Sequence, residues 1–507
     1  MNWSGLDEWL ILEVAGRGIV SVPYAYRPLG LIWALGPAWL APAHGFAVFR
    51  LFYALYALLS AALVFHLARR VWPQRPLLAT LIGCLCLAWS PSDMARLSCV
   101  DSAVYQGITL GALLAIALLV GAWRRQSLPL VGVAALVAFA SIRCYEGSGA
   151  LLAAAPVLLP LLTPRASGPG RFVRFVAIWE AAIASAFAFF LLELLVSRRH
   201  DAYQLSVLGV HPSPAGWLAR LLRQYALHLS PLVTWPAGEL LTPAVPAALT
   251  AFVLALQLAP WHAEPELRGR RSLLAGCAAG LLLAALGYGV ALVGVSVPTA
   301  FRLEFLSGPG IAVFLACAIL LLASLLPLRA GGIATALLGA WVVAVGAGRM
   351  GALQRDWELL SFASRQRQML SEMVRVVPDV APHTLLVLLD EKRDWNGAFS
   401  FHHAVQYLYE RRAAGHVPGR ADTLYAAIPD PGGIRFEPLP IVRLAWDEPG
   451  SLYRYEEVVV LRSSMTGALA VLAEWPRELA PLPAAAVYAP AARIRRGPSP
   501  RAAILSD

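Results

Sequence analysis

Charge is what this sequence has least of. Only 14% of its 507 residues are Asp, Glu, Lys or Arg, against about a quarter in soluble domains. With 58% hydrophobic residues and a mean hydropathy of +0.63, that shortage argues against a single water-soluble globule. Lysine is nearly missing: Lys392 stands alone, and the remaining positive charge is arginine. Cysteine is scarce too. The six present show no CxxC spacing, which excludes a disulfide-stapled scaffold. Cys84, Cys86, Cys277 and Cys317 lie inside apolar runs, so a disulfide stays open only for Cys99 and Cys144, in neighbouring loops. Also missing are GxxxxGK[ST], HExxH and any Cys/His metal spacing. Nucleotide hydrolysis and zinc proteolysis therefore have no motif to rest on.

Long apolar runs are plentiful. Ten of them, at 45–68, 75–91, 103–122, 128–143, 148–163, 173–196, 244–261, 272–296, 309–328 and 331–348, approach the ~20 residues that span a bilayer core. The stretch 28–42 is apolar but short and carries Pro28, Pro37 and Pro42, which predicts a broken or interfacial helix. From about 349 charged residues become more than twice as frequent, and short β-type runs appear at Thr384–Leu389, Glu456–Leu461 and Ala484–Tyr488, with a helix-like stretch at Ala404–Arg412. The expected fold class is an α-helical polytopic membrane protein of about ten spans over 1–348, followed by a soluble α/β domain over 349–507.

Orientation follows from arginine in the short loops. Arg69, Arg70 and Arg75, then Arg124 and Arg125, Arg165 and Arg171, Arg268, Arg270 and Arg271, and Arg329 occupy alternate loops. That face is expected to be cytoplasmic, which accounts for the +10 net charge without any nucleic-acid partner. An even number of spans then puts Met1 and the 349–507 domain outside a cell membrane crossed many times. Arg198, Arg199, Arg220 and Arg223 oppose the series from the longest loop, 197–243. The polar opening MNWSGLDEWL holds no cleavable signal peptide and reads as the middle of an outward loop, with outward residues 1–44 ahead of the first span.

The other ionisable groups gather on the outward side. Asp7 and Glu8 open the chain, with Tyr24, Tyr26 and Arg27 following in YAYRPL. Asp93, Arg96 and Asp101 lie in the next outward loop, Arg143 and Glu146 in RCYEGSG, and Arg302 and Glu304 in FRLEFLSGPG. A carboxylate is suited to take a proton from an acceptor hydroxyl, and arginines hold a phosphate bidentately. Inverting sugar transfer needs both. The plain alternatives are solvation for a lone loop carboxylate, snorkelling for Arg50, an interfacial place for Glu180 and Glu193, and a solvated surface for His402 and His403. Arg220 and Arg223, three apart in an amphipathic stretch, fit a lipid anchor as well as a substrate clamp.

The ordered set Asp7-Glu8, Tyr26-Arg27-Pro28-Leu29, Pro91 with Asp93, Glu146 in CYEGSG and Arg302 in FRLEFLSGPG resembles the GT-C superfamily of integral-membrane glycosyltransferases, in its protein O-mannosyltransferase-like branch. The likeness covers about 7–330, begins one helix late relative to the family, and leaves the C-terminal domain unmatched. The resemblance implies a donor sugar on a polyprenyl phosphate, used at the outer face with no metal or other cofactor. Asp7 would be the base with Glu8 its neighbour or substitute. Arg27, Arg302, and Arg220 or Arg223, would steady phosphate or orient carboxylates, with Tyr26, Asp93 and Glu146 in the substrate site. Membrane lipids and an acceptor glycan, lipid or protein are the other implied partners. A non-catalytic scaffold of the same build and a transporter of a lipid-linked sugar are the competing classes. Internal repeats and mid-membrane charges, which favour transport, are not found in the sequence.

Overall fold

A computed structural model describes residues 8–21, 27–89, 99–162, 169–197, 213–234, 242–258, 269–293, 304–361, 363–395, 397–420, 424–439, 450–464 and 468–506. The membrane part begins with a short helix α1 (Glu8–Gly16). A turn follows at Ile32–Ala34 and leads into α2 (Leu35–His44), the broken helix that three prolines predict. Then come α3 (Ala47–Val71), α4 (Pro76–Ala88), α5 (Cys99–Arg125), α6 (Leu128–Cys144) and α7 (Gly149–Ala154). The rest are α8 (Pro169–Ser197), α9 (Pro214–Leu229), α10 (Ala244–Leu258), α11 (Arg270–Val293), α12 (Glu304–Ala323) and α13 (Leu328–Ser361).

Among the described residues six helices are long and apolar enough to cross a membrane: α3, α5, α8, α11, α12 and α13. Six of the ten expected runs, 45–68, 103–122, 173–196, 272–296, 309–328 and 331–348, are matched by these helices. The segments α4, α6 and α10 have 13, 17 and 15 described residues, shorter than the six long helices and than the ~20 residues typical of a span. The segment from Glu146 onward is broken into a 3-10 turn, α7 and a further 3-10 turn carrying Pro156. What stands is the architecture of a polytopic helical membrane protein. Its flanks expose leucines such as Leu51, Leu136, Leu192 and Leu337, an apolar surface that only lipid suits.

Helices α11 and α12 cross at backbone contact. A Cβ on Gly280 would lie 2.5 Å from the Phe314 nitrogen, and one on Gly287 would lie 2.6 Å from the Ser307 Cα. Small residues are the usual means of such close approach in lipid. Trp33 fixes the turn after Arg27 to the bundle: its ring covers Gly107 of α5 and meets Tyr56 edge-on at 5.4 Å.

The arginine loops converge on one end of the bundle. Arg270 donates to the Ser324 carbonyl at 2.8 Å, and Arg171 to Gln126 Oε1 at 3.2 Å. The C-terminal domain lies at the other end. It begins with α14 (Ala363–Val376) and holds the strands β1 (Asp379–Val380), β2 (Thr384–Asp390), β3 (Ala413–His416), β4 (Tyr425–Asp430), β5 (Gly433–Pro438), β6 (Ser451–Tyr453), β7 (Val458–Ser463), β8 (Leu469–Val471) and β9 (Ile494–Arg495). Sheet order is β3-β2-β7-β8, with β2 parallel to both neighbours and β8 antiparallel. The buried run TLLVLLD of β2 is what a central parallel strand requires. Helix α15 (Ala398–Leu408) links β2 to β3. The sequence placed that helix six residues late, because Ala398–His403 mixes aromatic and histidine residues with no clear period. Ala484–Tyr488, expected as a strand, is irregular; there Tyr488 uses its hydroxyl to accept from Val460 and donate to the Leu472 carbonyl. All six cysteines are free, Cys99 and Cys144 included.

Candidate functional site

At the end of the bundle that carries the C-terminal domain, two residues 119 positions apart form a fork. Arg27 donates through Nε to Glu146 Oε2 at 2.8 Å and through Nη2 to Oε1. Glu146 opens the 3-10 turn Glu146–Ser148 as α6 ends, and its side chain is only 9% exposed, against 26% for Arg27. The turn is shaped by Gly147, since any Cβ there would enter the Tyr145 ring. Tyr145 folds back so that the Arg27 guanidinium lies 4.8 Å from its ring centroid, a cation–π placement. Tyr105 of α5 and Phe305 of α12 complete an aromatic floor, with ring centroids 5.0 to 6.0 Å apart. A bidentate arginine–carboxylate pair on an aromatic base holds both groups in one fixed geometry.

Glu8 is drawn to the same end but is fully buried. Its Oε1 accepts from the Val100 amide at 3.1 Å and lies 4.0 Å from the Cys99 thiol. The carboxylate thus caps the start of α5, where a helix has unsatisfied N–H groups and favours negative charge. Of the other expected site residues, Asp7, Tyr26, Asp93 and Arg302 lie outside the described residues. Arg220 and Arg223 are on α9, the amphipathic helix expected there. It leans on α11 through Tyr225, whose hydroxyl donates to the Leu281 carbonyl, and through His228, 2.8 Å from the Tyr288 hydroxyl. Arg223 is exposed, and neither arginine joins the Arg27–Glu146 fork. Glu193, near the end of α8, pairs with the buried Arg143.

Sequence reasoning missed a second cluster. Glu13, on the buried face of α1, meets His403 Nδ1 at 3.3 Å, Arg17 Nη1 at 3.6 Å and Arg411 Nε at 3.6 Å. It therefore ties the membrane part to α15. Burial pushes its carboxyl up, but the His403 hydrogen bond and the charges of His403, Arg17 and Arg411 outweigh that and hold it below its ordinary value. The expectation of a solvated surface for His402 and His403 is overturned, since both are fully buried beneath Tyr425 and Phe436. No local spacing signals this, because Glu13 and His403 are 390 residues apart. The Arg17-Glu13 i,i+4 pair was the only readable trace. Among the described residues no group of three or more His, Cys, Asp or Glu is placed to hold a metal. No protein-family model matches this chain, and no curated protein is similar to it at a significant level.

Proposed function

We propose that this chain is an integral-membrane glycosyltransferase of the GT-C type. It would move a sugar from a polyprenyl-phosphate donor to an acceptor hydroxyl at the domain-bearing, extracytoplasmic face. The observation that carries the reading is the Arg27–Glu146 fork on its aromatic floor, since it unites two of the motifs behind the resemblance. In the step proposed, a carboxylate takes the acceptor proton while the acceptor oxygen bonds to the anomeric carbon. The bond from that carbon to the phosphate oxygen breaks, and the phosphate leaves with the electron pair. Arg27 steadies the charge that gathers on the leaving group. Asp7 is assigned the proton, because its neighbour Glu8 is committed to the start of α5.

The test is transfer of label from radiolabelled polyprenyl-phosphate sugars in membranes holding the full chain. Transfer by wild type and none by Asp7→Asn at equal abundance supports the reading. Full transfer by Asp7→Asn overturns Asp7 as base. The burial of Glu8 favours one second reading, a non-catalytic scaffold for the C-terminal domain. Absence of transfer by folded wild type with every donor would decide for that reading.

A further inference from the structure

The opposite end of the bundle holds a site that the proposed reaction does not use. A cavity of about 510 Å³ opens where α3, α5 and α6 come together, lined by His66 and Arg70 of α3, Arg124 and Arg125 of α5, and Leu118 and Leu130 on its apolar side. No carboxylate is among its lining residues. Arginines in a last helical turn usually serve carbonyls at the helix end, but Arg70, Arg124 and Arg125 serve none among the described residues. Arg69 donates to the Pro73 carbonyl at 3.1 Å, and Gln126 donates to the Trp123 carbonyl. Gln126 reaches that position through a left-handed backbone, φ 52°, and is itself steadied by Arg171. Arg70, Arg124 and Arg125 make no hydrogen bond or ion pair with any described residue. Three exposed guanidinium groups around one space raise the local positive potential, which an anion seated between them would lower. The cavity sits at the ends of two membrane-length helices, and beside it Phe65 and Leu128 face outward. An occupant must therefore present negative charge to the arginines and hydrocarbon to the rest.

We propose that this cavity is a headgroup site for one anionic phospholipid. Its phosphodiester is held by Arg70, Arg124 and Arg125, and its acyl chains run past Leu118 and Leu130. Basic pockets between membrane helices bind such headgroups at the cytoplasmic side, where the arginine-rich loops place this end. The proposal stands whether or not sugar transfer is found.

Native mass spectrometry of the full chain, delipidated in detergent, tests it with dioleoyl phosphatidylglycerol and dioleoyl phosphatidylcholine. Wild type is expected to retain one phosphatidylglycerol and at least tenfold less phosphatidylcholine. The variant Arg70→Gln/Arg124→Gln/Arg125→Gln should lose that preference, and Arg271→Gln/Arg329→Gln, changed at the same end outside the cavity, should keep it. Leu118→Trp, which fills the apolar side without touching charge, should also lose the retained lipid. Equal loss in both arginine variants would show a general charge effect and overturn the site. So would retention by the triple variant. Inorganic phosphate that raised thermal stability as far as phosphatidylglycerol would overturn the lipid as occupant.

Discussion

Arg27 matters by its geometry more than by its charge. A lysine there keeps the charge but gives up the fork to Glu146 and the flat face over Tyr145. Under the proposed reaction, Arg27→Lys is expected to lower transfer at least ~100-fold, with Glu146→Gln close behind, as read in the labelled-donor assay. Glu8 separates two roles cleanly. As a cap, its place is taken by the Gln carbonyl oxygen, so Glu8→Gln should keep transfer within a few fold, whereas Glu8→Ala should cost about 1–3 kcal/mol of stability. Loss of transfer in a fully stable Glu8→Gln protein would make it a catalytic carboxylate instead. In the C-terminal domain, burial and then the charge of His402 push His416 down to about 4, from an ordinary 6.5. The folded state therefore disfavours the charged ring. Stability is full above about pH 6.5 and falls as pH drops toward 4, by up to about 3 kcal/mol. His416→Asn should flatten that part of a melting-temperature profile measured from pH 7 to 4.5. Glu13 acts lower on the scale, because its depressed carboxyl keeps its contribution until pH falls below the ordinary 4.5.

Elements in this molecule succeed or fail on length and on small residues. The pair α11 and α12 meets at glycine in the crossing, which lets the two backbones touch. Gly280→Leu would drive a side chain into the Phe314 backbone, which no rotamer relieves. Sharply reduced yield of monodisperse protein is expected, while Gly132→Leu on α6, where a Cβ meets nothing within 4 Å, should purify as wild type does. Size-exclusion profiles in detergent decide between the two. The same crossing shows the limit of hydropathy. Runs that look alike in the sequence become 24-residue α11 and 13-residue α4, because the residue at each end and not the mean hydropathy stops a helix. Trp89 closes α4 in an extended conformation, and Pro156 breaks the fifth run.

At the scale of the whole molecule, the arginine-rich loops and the C-terminal domain lie at opposite ends of the bundle, and α1 joins the domain to the membrane part through Trp9, Tyr407 and the Glu13 cluster. If the arginine-rich end is cytoplasmic, a membrane-impermeant maleimide should label Glu456→Cys in intact cells and Arg329→Cys only after permeabilisation. All six native thiols lie within helices of the membrane part, so the background should be low. The reverse pattern would invert the topology and move the proposed reaction to the cytoplasmic face. Glu13→Gln should loosen the joint. It leaves the buried His403 and the part-exposed Arg411 facing a neutral group, a cost of about 1–3 kcal/mol, and faster limited proteolysis between α13 and β1 should follow.

Composition alone determined the helical membrane part, the switch to an α/β domain and the end at which arginine collects, because each rests on an average over many residues that no single contact reverses. Arg27 and Glu146 were also readable, as polar residues set in short motifs between apolar runs. Their joining was a matter for the tertiary structure, as were the capping role of Glu8, the burial of His403 against Glu13 and the gathering of three arginines around the α3–α5–α6 cavity. Each depends on which distant segments share a space, and a carboxylate in a loop has the same spelling whether it meets water, a helix end or a buried histidine.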